Sequence, residues 1–409
     1  MRVLFVNEKG WYFGGVEQLV DDTAAGLAAR GHEPHLLSSE PMAIGRSGLA
    51  AAFTSRHLLE LGGASSTWMR QLARALEVAD PEVVYLHRWS HAASFDRLLA
   101  GRRVLRYVHD HDLYCPRRHK YFPLSTRICN HPLGWQCAVH GCLVSPEGPV
   151  PGLPGWIELG AKAAELARQR TLPALAAGSR WMVDMLVRNG FDAARVAHLP
   201  PVPAGLEREP LPPSDEPIVL YVGQVIRGKG VDLLLRALAE VRSDFRALIV
   251  GTGNHLQECI ALTRELGLGG RVHFVGWVPH EVLPAYYARA RVVAVPSRWP
   301  EPFGMVGLEA MWSCRAVVGF AVGGIPDWLA DGETGIAAPE ADWRALGHAL
   351  EELLADPGLA ERMGRAGYAR ARDDFRFDDY LERTAELLAG AGAMPADPVG
   401  AAGGPRAAS

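Results

Sequence analysis

Short apolar runs, set in two series and alternating with amphipathic helical stretches, constrain the fold of this chain more than any other feature. The first series contains Val3–Asn7, His35–Ser38, Val83–His87, Val104–His109 and Ala174–Ser179. The second contains Ile218–Gly223, Ala247–Gly251, Val272–Gly276, Val292–Ser297, Ala316–Phe320 and Gly335–Ala338. Runs that are apolar on both faces belong to parallel sheets covered by helices on each side. Between the series lie Pro200-Pro-Val-Pro-Ala-Gly and Glu209-Pro-Leu-Pro-Pro-Ser214. Proline this dense cannot sit inside a sheet, so the stretch reads as an interdomain linker. The expectation is an α/β protein of two doubly wound, Rossmann-like domains facing a central cleft. Ligands of such sheets bind beyond the carboxyl ends of the strands.

At 409 residues and 48% hydrophobic content, the chain can fill two cores. Its formal net charge of −4 provides no global field toward nucleic acid. No run of eighteen or more uncharged apolar residues is present, so no membrane-spanning helix is expected. Met1-Arg-Val-Leu-Phe-Val-Asn7 reads as a strand rather than a signal peptide. A cytoplasmic location with reduced thiols is therefore expected.

The chemistry concentrates in Glu301-Pro-Phe-Gly-Met-Val-Gly-Leu-Glu309, which follows the apolar run ending at Ser297. One carboxylate falls on a strand-to-helix loop and the other on the helix. Between them, the backbone at Phe303, Gly304, Met305 and Val306 offers free N–H groups at a helix start, a natural seat for phosphate. A lone Glu is more often a solvated surface charge; two acids suited to hydroxyls around an anion-binding turn suggest a nucleotide-sugar. The string resembles the signature of the retaining glycosyltransferases of family 4 (group 1), which have the GT-B fold. That resemblance implies that Glu301 contacts the donor hexose and that the Phe303-Gly304 amides flank sugar and diphosphate. It implies that Glu309 binds the ribose hydroxyls.

Other segments extend the resemblance. Tyr221-Val-Gly-Gln-Val-Ile-Arg-Gly-Lys-Gly230 leaves the first strand of the second series, putting Gly223, Arg227 and Lys229 at a sheet edge. Arg227 and Lys229 could neutralise a departing diphosphate, or could be a solvated loop pair. The family typically has arginine where Gln224 stands, and Arg227 is a candidate to supply that charge. Gly14 and Gly15 permit a close backbone approach before the first helix; the family has a similar Gly-Gly beside the donor phosphate. His109 closes a strand where the family has a histidine near the transferred sugar, with His111 and Asp112 as neighbouring competitors. Ala321-Val-Gly-Gly-Ile-Pro-Asp327 carries aspartate in place of the family's usual glutamate, a mild change if the residue only caps the next helix.

The expected layout is residues 1–205 as the acceptor-side domain, with a cysteine-bearing insertion at about 111–155. Residues 206–375 form the nucleotide-sugar domain. By resemblance, 376–390 is a helix crossing back to the first domain, and 391–409 is a tail expected to be disordered. Cys115, Cys129, Cys137 and Cys142 lack the paired two-residue gaps of a zinc ribbon, so no metal is assigned, although interleaved histidines keep one open. Arg102, Arg103, Arg106, Arg117, Arg118, Lys120 and Arg127 make the region locally basic. Either a solvated face or contact with an anionic acceptor or membrane surface fits, with Trp89, Tyr114, Tyr121, Phe122 and Trp135 nearby.

These readings converge on a hexosyltransferase that takes its sugar from a nucleoside diphosphate donor and passes it to an acceptor hydroxyl; the family resemblance implies retention of configuration. No cofactor or metal is required if protein cations neutralise the leaving group. A nucleotide-sugar epimerase of the same fold and a non-catalytic nucleotide-sugar-binding partner are the alternatives. A dinucleotide dehydrogenase is disfavoured, since no Gly-x-Gly-x-x-Gly follows the first strand.

Overall fold

A computed structural model describes residues 1–42, 47–49, 53–62, 64–125, 127–145 and 155–393. The expected tail therefore lies outside the described residues beyond position 393, as do parts of the cysteine-bearing insertion. The N-terminal strands are β1 (Arg2–Val6), β2 (Glu33–Ser38), β3 (Ser55–Leu58), β4 (Val83–Leu86) and β5 (Arg103–Val108). A small antiparallel pair, β6 (Val144–Ser145) and β7 (Gly155–Trp156), precedes β8 (Ala174–Ala177) and β9 (Val196–His198). The C-terminal strands are β10 (Ile218–Val222), β11 (Arg246–Val250), β12 (Val272–Gly276), β13 (Val292–Val295), β14 (Ala316–Phe320) and β15 (Gly335–Ala338).

The first sheet has the order β3-β2-β1-β4-β5-β8-β9 and the second β12-β11-β10-β13-β14-β15. The pairings are parallel in both. Each sheet begins at a central strand and winds outward first one way and then the other. The reversal falls between β1 and β4 in one sheet and between β10 and β13 in the other. A crevice opens at each reversal because neighbouring connections leave on opposite faces. Loops after β1, β4, β10 and β13 are therefore the ones placed to hold a ligand.

Two strands depart from the expectation. β3 alternates half-buried and exposed positions at the sheet edge, and β9 has only three residues, so neither shows a long apolar run. The central strands end sooner than the apolar runs that mark them. His87, His109 and Ser297 stand just beyond β4, β5 and β13, on the loops that open into the crevices. The proline-rich stretch between β9 and β10 has no regular structure, yet Val202 and Leu206 are buried in the core.

The helix Phe377–Gly390 lies on the N-terminal sheet rather than on the domain that precedes it. Its Tyr380 hydroxyl is 3.0 Å from Thr23 Oγ1 on the helix Gly15–Ala29. Arg103 donates to the carbonyls of Leu388 and Ala391, each at 3.0 Å. Glycine is demanded where loops of the second sheet meet. Gly251 has φ +134°, and a Cβ there would lie 1.8 Å from the Gly223 carbonyl oxygen. Gly251→Ala should destabilise the protein by about 3 kcal/mol, combining backbone strain with overpacking. Denaturant unfolding checks this, with Gly267→Ala as the comparison: its φ is +68° but no atom lies within 4 Å of the added Cβ.

Candidate active site

Glu301 sits at the reversal of the second sheet, on the loop between β13 and the helix Met305–Trp312. It is only 3% exposed, and Lys229 Nζ donates to its Oε1 at 2.7 Å. Ser297 Oγ donates to the same oxygen. Burial alone would push the Glu301 carboxyl up; the Lys229 cation and the hydrogen bonds from Lys229 and Ser297 outweigh it and hold the group below its ordinary value. Lys229 reaches this position from a tight turn, Arg227–Lys229, after β10. The Gly228 carbonyl accepts from the N–H groups of Arg298 and Trp299 at 3.0 and 3.1 Å, which fastens the turn to the loop carrying Glu301. Gly230 follows with φ +70°, where a Cβ would strike the Pro296 carbonyl at 1.9 Å.

The backbone of Glu301 is clamped as well. Its carbonyl accepts from Gly324 N–H at 2.7 Å, and a Cβ on Gly323 would lie 2.4 Å from its nitrogen and oxygen. Thus Gly323-Gly324 makes its close approach to protein backbone. Gly304, with φ +92°, caps the helix Met305–Trp312, and no side chain occupies its cap position. The Phe303 carbonyl accepts from Trp328 Nε1 at 2.7 Å, while the Phe303 ring turns into the core against Phe375. Phe303 therefore offers backbone to a ligand and not its ring. Val306 is half-buried on the first turn of that helix.

Glu309 stands on the fifth residue of this helix, with Tyr287 hydroxyl donating to its Oε2 at 2.7 Å. His280 Nε2 lies 3.8 Å from Oε1, and the interaction with Glu309 draws the imidazole pKa up against burial. One oxygen is thus fixed by the protein, and the other faces a donor group beside open solvent.

A second helix start meets this one across the cleft. Gly14 and Gly15 begin the helix Gly15–Ala29, and a Cβ on Gly15 would fall 2.3 Å from the Met305 methyl carbon. Gly14 is extended at φ −171° with open space where a Cβ would go, so neither conformation nor contact among the described residues demands glycine there, and its N–H donates to Glu17 Oε2 at 3.1 Å. Two helix N-termini converge from opposite domains, each with first-turn N–H groups beyond the reach of intrahelical bonds. The contacts around them are specific: His111 Nε2 lies 2.7 Å from the Pro300 carbonyl, immediately before Glu301. The His111 ring is fully buried, with Tyr114 hydroxyl at Nδ1, and it spans the domains as a structural link. Asp327 also reaches across, accepting from Arg180 N–H at 2.8 Å, with His198 Nε2 3.2 Å away. It thus binds the first amide of the helix Arg180–Arg188 of the other domain, whose own cap is Ser179, rather than serving only as a local helix cap.

His109 is half-buried at the end of β5, with Nε2 2.8 Å from His87 Nδ1. Gly223, at φ +148°, and the exposed Gln224 begin the loop after β10, with Tyr221 hydroxyl holding the Gln224 carbonyl at 2.8 Å. Arg227 is exposed on the same loop and, unlike Lys229, is not drawn to Glu301. Asp110 and Asp112 form an Asp-x-Asp pair, but Arg88 engages the first and Arg118 the second, the latter at 2.8 Å. The basic stretch is thus largely paired or buried: Arg106 donates to Gln169 Oε1 at 2.6 Å within the core. Trp89 and Tyr114 are buried too, whereas Trp135 is exposed. All six cysteines are free thiols, and among the described residues no group of three or more His, Cys, Asp or Glu could hold a metal ion.

Sequence reasoning missed His87, Ser297, Tyr287 and His280. The first two were open to the strand-end argument applied to His109. Tyr287 and His280 precede β13 on a helix and a turn, and only tertiary packing brings them to Glu309.

Two family models match the chain: Glycosyltransferase Family 4 over residues 13–202 and Glycosyl transferases group 1 over residues 206–370. The chain belongs to the group 1 glycosyltransferases and has their GT-B fold. It is 37% identical over 210 residues to the GDP-mannose-dependent alpha-(1-6)-phosphatidylinositol monomannoside mannosyltransferase of Mycolicibacterium smegmatis, covering 49% of this chain and 55% of that one. A D-inositol 3-phosphate glycosyltransferase of Nocardia farcinica is 35% identical over 240 residues, covering 52% and 51%. The chain thus spans about half the length of these curated relatives. Among solved structures, Anabaena HepE in complex with UDP superposes with a TM-score of 0.70 at 18% identity, over 95% of this chain and 100% of that one. Sucrose-phosphate synthase from Thermosynechococcus elongatus gives 0.68 at 22%, over 94% and 97%. None of the described helices is long and apolar enough to cross a membrane.

Lys229→Met would leave the buried Glu301 carboxylate without its cation. Because Glu301 is held below its unfolded value, its stabilisation is present above the ordinary carboxyl range and lost as pH falls through the depressed pKa. In the variant, burial raises that pKa, so acid relieves the penalty. The variant should lose about 3 kcal/mol near neutral pH, with the deficit shrinking as pH drops through the carboxyl range. Thermal unfolding across pH measures both.

Proposed function

We propose that the protein transfers a hexose-type sugar from a nucleoside diphosphate donor to an acceptor hydroxyl, with retention of anomeric configuration. The observation that carries this reading is the pairing of Glu301 and Glu309 on either side of a helix start that faces a second helix start across the cleft. Amides at Gly15, Gly304 and Met305 would cradle the diphosphate, while the Gly14 N–H is bonded to Glu17 Oε2 at 3.1 Å. Glu301 would accept from hexose hydroxyls, and Glu309 Oε1 from the ribose, while Tyr287 holds the other Glu309 oxygen.

Cleavage of the glycosidic bond leaves positive charge on the sugar and negative charge on the diphosphate. Lys229 can turn from Glu301 toward the departing anion, and Arg227, exposed on the same loop, can join it. Residue types suited to a covalent glycosyl intermediate are few here: Glu301 is tied by Lys229 and Ser297, and His109 by His87. Attack from the face that the diphosphate leaves, with His109 positioning the sugar, is the simpler route. The curated relatives include a GDP-mannose-dependent enzyme and the solved structures one bound to UDP, so the family supports a diphosphate donor without choosing its base. The acceptor follows the same logic: a hydroxyl compound admitted between the loops after β1 and β4. Contact with an anionic membrane, and a place at the inner face of one, belong to this proposal, resting on Trp135 and Arg127 exposed in the insertion.

A thermal-shift screen of nucleoside diphosphate sugars tests the donor. A true donor at a hundred times its Kd should add about 2.7 kcal/mol of stability. With that donor, Glu301→Ala should lower kcat by about 100-fold. Glu309→Ala should instead raise the donor KM by about tenfold with a smaller change in kcat. Product NMR should show the donor's anomeric configuration; inversion would overturn the retaining route. Acceptor-independent conversion of the donor into an altered sugar would favour the epimerase.

A further inference from the structure

The imidazoles of His87 and His109 face each other with 2.8 Å between Nδ1 of the first and Nε2 of the second. His87 lies in an aromatic row, stacked on Phe5 at 5.9 Å between ring centres and tilted against Tyr85 at 4.3 Å. Tyr107 and His109 continue the row on the neighbouring strand. Burial, with Arg106 nearby, pushes His87 down to about 3. Burial, then His87, Arg88 and Arg106, push His109 well below its ordinary value. Both rings are therefore neutral near pH 7, and each carries a single N–H.

One proton lies between the two nitrogens, and two arrangements are open. If His109 Nε2–H donates, His87 must carry its proton on Nε2. That atom is buried and has no hydrogen-bond partner among the described residues. If His87 Nδ1–H donates, the same Nε2 is left as a bare lone pair. An orphaned buried N–H is rarer and more costly than an under-used acceptor. The second arrangement wins. It fixes His109 with its Nε2 lone pair filled and its proton on Nδ1, for which the described residues show no hydrogen-bond partner.

We propose that His87 is a positioning residue whose Nδ1–H donates to His109 Nε2, making His109 a hydrogen-bond donor through Nδ1 toward a hydroxyl of the bound sugar. His109 then has no free lone pair, so it cannot act as a general base in the transfer. The sugar-facing half of this assignment rests on the nucleotide-sugar reading above; the tautomer does not.

Long-range 1H–15N spectra of the full chain carrying 15N-histidine test it, with His87→Phe and His109→Gln supplying the assignments. The ligand-free protein should show His109 protonated at Nδ1. In His87→Phe, which keeps a ring in the aromatic row, His109 should redistribute toward the Nε2–H form. The same variant should lose about tenfold in kcat with donor KM within about twofold, as for an interaction made chiefly in the transition state. A wild-type spectrum with His109 protonated at Nε2, or a His109 tautomer unchanged in His87→Phe, would overturn the assignment. If the tautomer is as assigned but no nucleoside diphosphate sugar perturbs the His109 signals, the sugar-facing role fails while the His87 bond stands.

Discussion

The site is organised around the buried ion pair between Lys229 and Glu301. A carboxylate this deep is tolerable only with a cation and further donors on it, and the surrounding chain is built to deliver them. The turn after β10 brings Lys229, the Gly228 carbonyl binds that turn to Arg298 and Trp299, and Ser297 supplies a hydroxyl from the end of β13. Gly230, Gly323 and Gly324 are where they are because backbone must pass within touching distance of backbone. In ligand-free protein the pair holds the Glu301 carboxylate charged and oriented. On the proposed reading the same cation would meet a leaving diphosphate, so one interaction would serve both preorganisation and chemistry.

The second constraint is the meeting of two helix starts across the cleft. Each domain contributes the helix that follows the first strand or the strand across its reversal point, which is where doubly wound topology puts unpaired N–H groups. The Met305 methyl carbon stands against Gly15, so the two helix starts meet closely there. His111 on the Pro300 carbonyl and Asp327 on the Arg180 amide then join the lobes on either side of Glu301 and Phe303. The helix Phe377–Gly390, bound to Thr23 and Arg103, adds a link far from the cleft. Together these contacts set the geometry into which a donor would fit.

The central strands were legible because strands buried on both faces are continuously apolar, as in Val83–Leu86 and Val292–Val295. β3 was not, since an edge strand that alternates half-buried and exposed residues looks like a polar loop. Glu301, Lys229 and Glu309 could be read from local spacing and family resemblance. Their partners were less legible: Ser297 marks a strand end, but Tyr287 meets Glu309 through helix packing that no local pattern encodes. His87 and His109 show the middle case. Each marks a strand end, but their hydrogen bond depends on the side-by-side pairing of β4 and β5. Asp327 was read as a local helix cap because nothing in its neighbourhood points to Arg180, far away in the chain.

A structure of the complex with a non-hydrolysable nucleoside diphosphate sugar tests the central claim most directly. The diphosphate should lie between the helix starts at Gly15 and Met305, with Lys229 swung from Glu301 toward it and Glu309 on the ribose. A nucleotide bound outside this cleft, or one that leaves Glu301 and Glu309 untouched, would contradict it.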